Sequence, residues 1–187
     1  MTLRRAALLT MATVLVAGAC SKNEPPATPA PPPPAPRETP PPPPTADPDS
    51  ARRAEEARLA RERAELMATL QEMVFFDYDD SRIRQDAQSI LSRKIPILRA
   101  NPAVTLRIVG HADERGSLEY NLALGMRRAR SVRDYLVNFG IDASRLTTDS
   151  MGEERPLDPG HNEAAWARNR RGEFTVTGGA GNLVRGQ

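Results

Sequence analysis

The sequence predicts an α/β sandwich: a mixed sheet of about four strands with two main helices and one short helix. Three observations predict it. Stretches that alternate polar and apolar residues take turns with stretches of helical period along residues 73–178. Turn and stop residues punctuate them, at Asn101 and Pro102 and again at Gly140. Hydrophobic residues make up 39% of the chain but aromatics only 4%, so the core is aliphatic. The patterned region, of about 110 residues, is long enough for one small core.

The elements follow in order. "MVFFDYD" alternates and is rich in β-formers, which predicts a strand over residues 73–77. "RQDAQSILSRKIPILRAN" places Ala87, Ile90, Leu91, Lys94, Ile95 and Leu98 on one helical face. Pro96 lies inside that helix. Its missing N–H and its clash with the preceding turn predict a kink or fray near residues 92–96 but not a break, because the apolar period continues past it. "AVTLRIVG" sets Val104, Leu106 and Ile108 against Thr105, Arg107 and Val109, a strand with one polar face. The loop "GHADERG" follows. A long helix begins near Ser117, with Glu114 and Glu119 close to its positive end. Leu124, Val132, Tyr135, Leu136 and Phe139 recur at core spacing along it, and Gly140 stops it. "RLTTDSMG" predicts a third strand over 145–152, residues 162–170 a short helix, and "GEFTVTG" a final strand over 172–178. The glycine-rich tail, 179–187, is expected to fray.

Three further segments precede the domain. Residues 1–19 carry Arg4 and Arg5, then the apolar run "AALLTMATVLVA", then small residues leading to Cys20. That run is too short to cross a bilayer, which takes about 20 residues. The arrangement resembles a bacterial lipoprotein signal, cleaved before Cys20. The resemblance implies lipidation at Cys20 and, because no aspartate follows it, sorting to the outer membrane with the domain facing the periplasm. Residues 20–50 hold most of the 18 prolines, including "PPPP" and "PPPPP". Proline locks φ and cannot donate, so this linker is expected to lack helix and sheet. As an extended spacer at about 3.1 Å per residue, its 24 residues from 25 to 48 span about 70 Å. Residues 51–72, "RRAEEARLARERAELMATLQE" and the residue before it, are rich in helix formers and poor in apolar ones. They predict a solvated helical stalk, capped by Asp49 or Ser50. Leu59, Leu66 and Met73 are spaced by sevens, but two heptads are too few to indicate a coiled coil.

Charge narrows the function. Arg4 and Arg5 account for the whole formal net charge of +2, and the remainder is balanced, which argues against a nucleic-acid partner. "GHADERG" packs His111, Asp113, Glu114 and Arg115 between two glycines. A metal site is poorly supplied: the only other histidine, His161, lies in a "DPGHN" turn, and Cys20 is accounted for by lipidation. No metal or cofactor is expected. Hydrolysis would need opposed carboxylates, and adjacent Asp113 and Glu114 diverge, although Asp77, Asp79 or Asp80 offers a second one. The third reading is capture of a zwitterion, with Asp113 for an ammonium and the fork of Arg127 or Arg128 for a carboxylate. Arg128 lies about 16 Å along the helix axis from its start, so the loop must fold back or the pocket must span a gap.

"VGHADERGSLEYNLALGMRRARSVRDYL" resembles the core signature of the OmpA C-terminal domain family, in its peptidoglycan-associated lipoprotein branch. "FFDYDDSRIRQDA", "SMGEERPLDPGHNEAAWARNRRGEF" and the signal segment fit the same branch. The resemblance implies an OmpA-like sandwich that binds peptidoglycan noncovalently, through the diaminopimelate of the stem peptide, and is not an enzyme. It carries the ligand roles to Asp113 and Arg128, lines the same pocket with Tyr78 and Asp79, and adds Ala112, Asn121 and Leu124. It also implies membership of the Tol–Pal system, TolB and other Tol proteins as partners, and a part in cell division. A general cell-wall anchor outside that system, or a cell-wall hydrolase, is the alternative. His111 is expected to anchor the loop by hydrogen bonding, and Arg170 to pair with Asp79 or Asp113.

Overall fold

The computed structural model describes residues 48–186. The signal segment, Cys20 and the linker up to residue 47 lie outside the described residues.

Eight main elements occur: α1 (Pro48–Gln71), β1 (Val74–Phe75), α2 (Gln85–Ala100), β2 (Thr105–His111), α3 (Leu118–Asn138), β3 (Leu146–Gly152), α4 (Glu163–Asn169) and β4 (Arg171–Gly178). The sheet order is β1-β4-β2-β3. β2 and β3 are parallel, joined through α3, whereas β4 runs antiparallel to β1 and β2. This is the mixed four-stranded α/β sandwich that the sequence predicts. Leu106 and Ile108 of β2 are fully buried, while Thr105 and Arg107 on its other face are not.

The helix α3 crosses β2 at two glycines. A Cβ on Gly110 would stand 1.8 Å from the carbonyl oxygen of Gly125, and one on Gly125 would stand 2.3 Å from Oγ of Ser150. Backbones meet there because neither residue has a side chain. Ser117 caps the helix by accepting from the Tyr120 N–H at 3.3 Å. The contact at Gly110 and Gly125 lays the first turns of α3 beside the C-terminal end of β2, where the GHADERG loop begins.

Two elements depart from expectation, and α2 continues past its proline as the apolar period predicts. β1 is only two residues long, since β4 opposes just Val74 and Phe75 before Asp79 turns the chain away at φ +51°. α2 runs unbroken through Pro96, with Ile97 and Leu98 buried beyond it. The tail does not simply fray: Leu183 joins the core, and Asn101 pairs with the Val184 backbone through Nδ2 (2.8 Å) and Oδ1 (2.9 Å).

The stalk helix also has two characters. Its first turns are exposed, but Leu66 and Leu70 lie in the core cluster. Lys94, fully buried on the apolar face of α2, points its ammonium at the end of α1. It donates to the carbonyls of Thr69 (2.6 Å), Leu70 (3.0 Å) and Glu72 (2.7 Å), and lies 4.2 Å from the Phe174 ring centroid. The last carbonyls of a helix have no partners within it, and one side chain from α2 supplies three.

Candidate functional site

A cleft of about 150 Å³ opens where the turn after β1, the GHADERG loop and the first turns of α3 meet. All seven residues expected to hold ligand line it: Tyr78, Asp79, Ala112, Asp113, Asn121, Leu124 and Arg128. They come from three separate stretches of sequence.

Arg128 is fully buried. Its distance along α3 is bridged in two ways. Helical side chains lean toward the N-terminus, and two other segments converge on its guanidinium. Nη1 donates to the carbonyl of His111 at 2.7 Å, Nη2 to Asp77 at 2.9 Å, and Nε to Asp80 at 2.8 Å. Three of its five N–H groups thus meet neutral carbonyls. Among the described residues, no carboxylate forms an ion pair with it. Burial lowers its pKa to about 10, with Asp113 as the largest opposing charge.

Asp113 is 4% exposed and lines the same cleft. Burial alone would raise its pKa. Hydrogen bonds from Arg115 and Arg170 outweigh that and hold the carboxylate below its ordinary range. Arg115 contributes its backbone N–H (3.2 Å), Nε (3.0 Å) and Nη2 (2.7 Å), and Arg170 contributes Nη1 at 3.2 Å. The expected pairing of Arg170 is therefore with Asp113.

The remaining residues divide into lining and support. Leu124 and Ala112 are buried apolar walls. Asn121 holds the loop from beneath: Nδ2 donates to the carbonyls of Asp113 (3.1 Å) and Arg115 (3.3 Å) and contacts the Glu153 carboxylate. Tyr78 is 60% exposed and Asp79 stands at the mouth, where it accepts from the Tyr120 hydroxyl. Glu114 ties the loop to its far wall, bonded to Nδ1 of His161 (2.7 Å) and accepting from Nε1 of Trp166 (2.8 Å).

His111 corrects an expectation. It is buried, yet neither ring nitrogen has a hydrogen-bond partner among the described residues. The nearest acceptor, Oε2 of Glu173, stands 3.6 Å away, beyond hydrogen-bond reach. The loop is anchored instead by the His111 carbonyl on Arg128. Burial, with the Arg171 charge beside it, lowers the imidazole pKa to about 4.

The model of the OmpA family matches residues 75–170, more than half of the chain. The chain belongs to the OmpA family. It is 49% identical to the peptidoglycan-associated lipoprotein of Rhizobium meliloti (strain 1021) over 109 residues, 58% of this chain and 61% of that one. It is 48% identical over 108 residues to the protein of the same name from Brucella melitensis, again 58% of this chain and 64% of that one. The match thus spans less than two thirds of these curated relatives. Among solved structures, the peptidoglycan-associated lipoprotein from Burkholderia pseudomallei superposes with a TM-score of 0.55 at 38% identity, covering 57% of this chain and 90% of that chain. The C-terminal domain of Helicobacter pylori MotB, at 21% identity and a TM-score of 0.52, shares the fold.

In this OmpA-family cleft, two contributors were not singled out from sequence. Tyr120 has a signal in the sequence: with Leu124 and Arg128 it repeats every fourth residue, one face of α3. Arg115 stands in the GHADERG motif with no ligand role attached to it. Its guanidinium instead lies in the cleft, 4.1 Å from the Tyr78 ring centroid and 4.2 Å from that of Trp166.

Proposed function

We propose that this chain anchors an envelope membrane to the cell wall by holding peptidoglycan noncovalently through diaminopimelate. Supporting this is Arg128, a fully buried guanidinium that lines a cleft, donates only to carbonyl oxygens and lies 5.2 Å from the Phe76 ring centroid. An unpaired buried cation favours an incoming anion strongly, and two N–H groups remain for one. Asp113 lines the same cleft and offers the opposite charge. The free end of diaminopimelate carries an ammonium and a carboxylate on one carbon, which suits a carboxylate and a guanidinium in one small cavity. No bond is made or broken in this reading, so the chain acts as a tether.

In the same proposal, Cys20 carries the lipid that holds the chain in the outer membrane, the proline-rich linker spans the gap, and the domain faces the periplasm. The names of the curated relatives support the lipid anchor and the wall partner. Membership of the Tol–Pal system, with TolB as partner, belongs to this reading too, and co-precipitation with TolB checks it.

The decisive measurement is binding of purified muropeptides. Wild-type chain should retain diaminopimelate muropeptides, and Asp113→Asn should reduce retention at least tenfold. Lysine-containing muropeptides, which lack the terminal carboxylate, should not be retained. Equal retention of both kinds, or release of cleaved products, overturns the proposal. Arg128→Lys is the informative partner variant, because Arg128→Ala would also leave three carbonyls without donors.

A further inference from the structure

Asp113, the carboxylate that the preceding reading gives to the ligand, is already occupied. Oδ1 accepts the backbone N–H and Nε of Arg115, and Oδ2 accepts Nη2 of Arg115 and Nη1 of Arg170. Two carboxylate oxygens offer about four lone-pair sites. An ammonium therefore finds no vacant acceptor position, and one donor must leave.

The four donors differ in freedom. The backbone N–H is fixed by the loop. The Arg170 side chain is 7% exposed and also holds the Phe76 carbonyl (3.1 Å) and Oε1 of Glu163 (2.8 Å). The Arg115 side chain is 30% exposed. It rests between the rings of Tyr78 and Trp166, and it has a second carboxylate in reach: Nη1 stands 3.5 Å from Oε2 of Glu163, a side chain 64% exposed.

We infer that Arg115 is a built-in competitor for the ligand: its guanidinium holds the cation position at Asp113 and swings outward toward Glu163 when the ammonium of diaminopimelate enters. The inference rests on the reading of the cleft as a diaminopimelate site. Arg115 thereby sets affinity. The empty site never presents a bare buried carboxylate, and the ligand must exchange one ion pair for another. Trp166 reports the exchange, because the cation stacked on its face leaves.

The test uses the full chain with meso-diaminopimelate as probe. Calorimetry reads affinity, and the fluorescence of Trp166, the one tryptophan, reads the guanidinium. Loss of a partly exposed ion pair predicts that Arg115→Gln binds about fivefold more tightly than wild type. Arg115→Lys, which keeps the charge but not the fork, should fall between them. Wild-type emission should change on saturation, and that of Arg115→Gln should not, although calorimetry shows it bound. If Asp113→Asn abolishes binding but Arg115→Gln binds equally or more weakly than wild type, the competitor role is overturned and the diaminopimelate reading stands. Should neither wild type nor Arg115→Gln bind the probe, both fall. A destabilised Arg115→Gln is recognised by its melting curve, and Arg115→Lys then decides: affinity below wild type overturns the inference.

Discussion

At the scale of single residues, the cleft is shaped by charges with unequal partners. Asp113 has a donor at every acceptor site, Arg128 has only carbonyls, and His111 has nothing within hydrogen-bond reach of either ring nitrogen. The last of these makes stability depend on pH. The folded chain holds the imidazole at about 4, through burial first and then the charges of Arg171 and Arg155, with Glu173 opposing them, while an unfolded chain holds it near 6.5. The unfolded state therefore takes up a proton first as pH falls. Stability from the neutral imidazole is complete above about 6.5 and is lost progressively toward about 4. Between pH 7 and pH 5 the chain should lose about 2 kcal/mol in urea titrations. Glu173 and Asp113, both held low by arginines, titrate below that window. His111→Leu should flatten the profile between pH 7 and pH 5, and an unchanged slope would assign it to another group.

At the scale of elements, alternation and helical period are enough to read the four strands and the main helices, because each element presents one face to an aliphatic core. What stays hidden depends on partners distant in sequence. "MVFFDYD" alternates well, yet β1 is cut short by what β4 offers it. Arg115 sits in a motif plain to see, but its place between Tyr78 and Trp166 needs two other segments to be folded. Residue chemistry pairs Asp113 with Arg127 or Arg128, but only the family likeness selects Arg128, since helix spacing alone sets it far from the loop. Lys94 is the clearest case. Its position on the apolar face of α2 reads as a defect until the end of α1 is seen above it. Burial pushes its pKa down to about 7, against the pull of Glu72. Lys94→Met should remove three hydrogen bonds at once and leave buried carbonyls unsatisfied, costing about 3 kcal/mol in urea denaturation. Amide exchange should quicken first over residues 66–72. A variant as stable as wild type would mean that water satisfies those carbonyls.

At the scale of the whole molecule, the issue is where the solvated stalk ends and the folded core begins. Composition sets the boundary near residue 72, because apolar residues are sparse before it and dense after it. Packing argues for an earlier point. Residues 49–61 are exposed, whereas Leu66 is 3% exposed and Leu70 not at all, and both belong to the core cluster. Full burial of two leucines contributes about 4 kcal/mol, before any cavity left by their removal is counted. The same segment provides the acceptors for Lys94. A chain lacking residues 1–61 should therefore unfold within about 1 kcal/mol of the full chain, since residues 49–61 are exposed and outside the core cluster. A chain lacking residues 1–72 should be destabilised by more than about 4 kcal/mol and bind diaminopimelate muropeptides poorly through partial unfolding. Comparing the two by urea titration decides the matter: equal stability would restore the boundary at residue 72. Under the proposed function, the outcome bears on how load is carried. If the last turns of α1 are part of the core, a pull along α1 reaches the sheet through Leu66, Leu70 and Lys94. Load on the anchor is then borne by the same core that holds the cleft in shape.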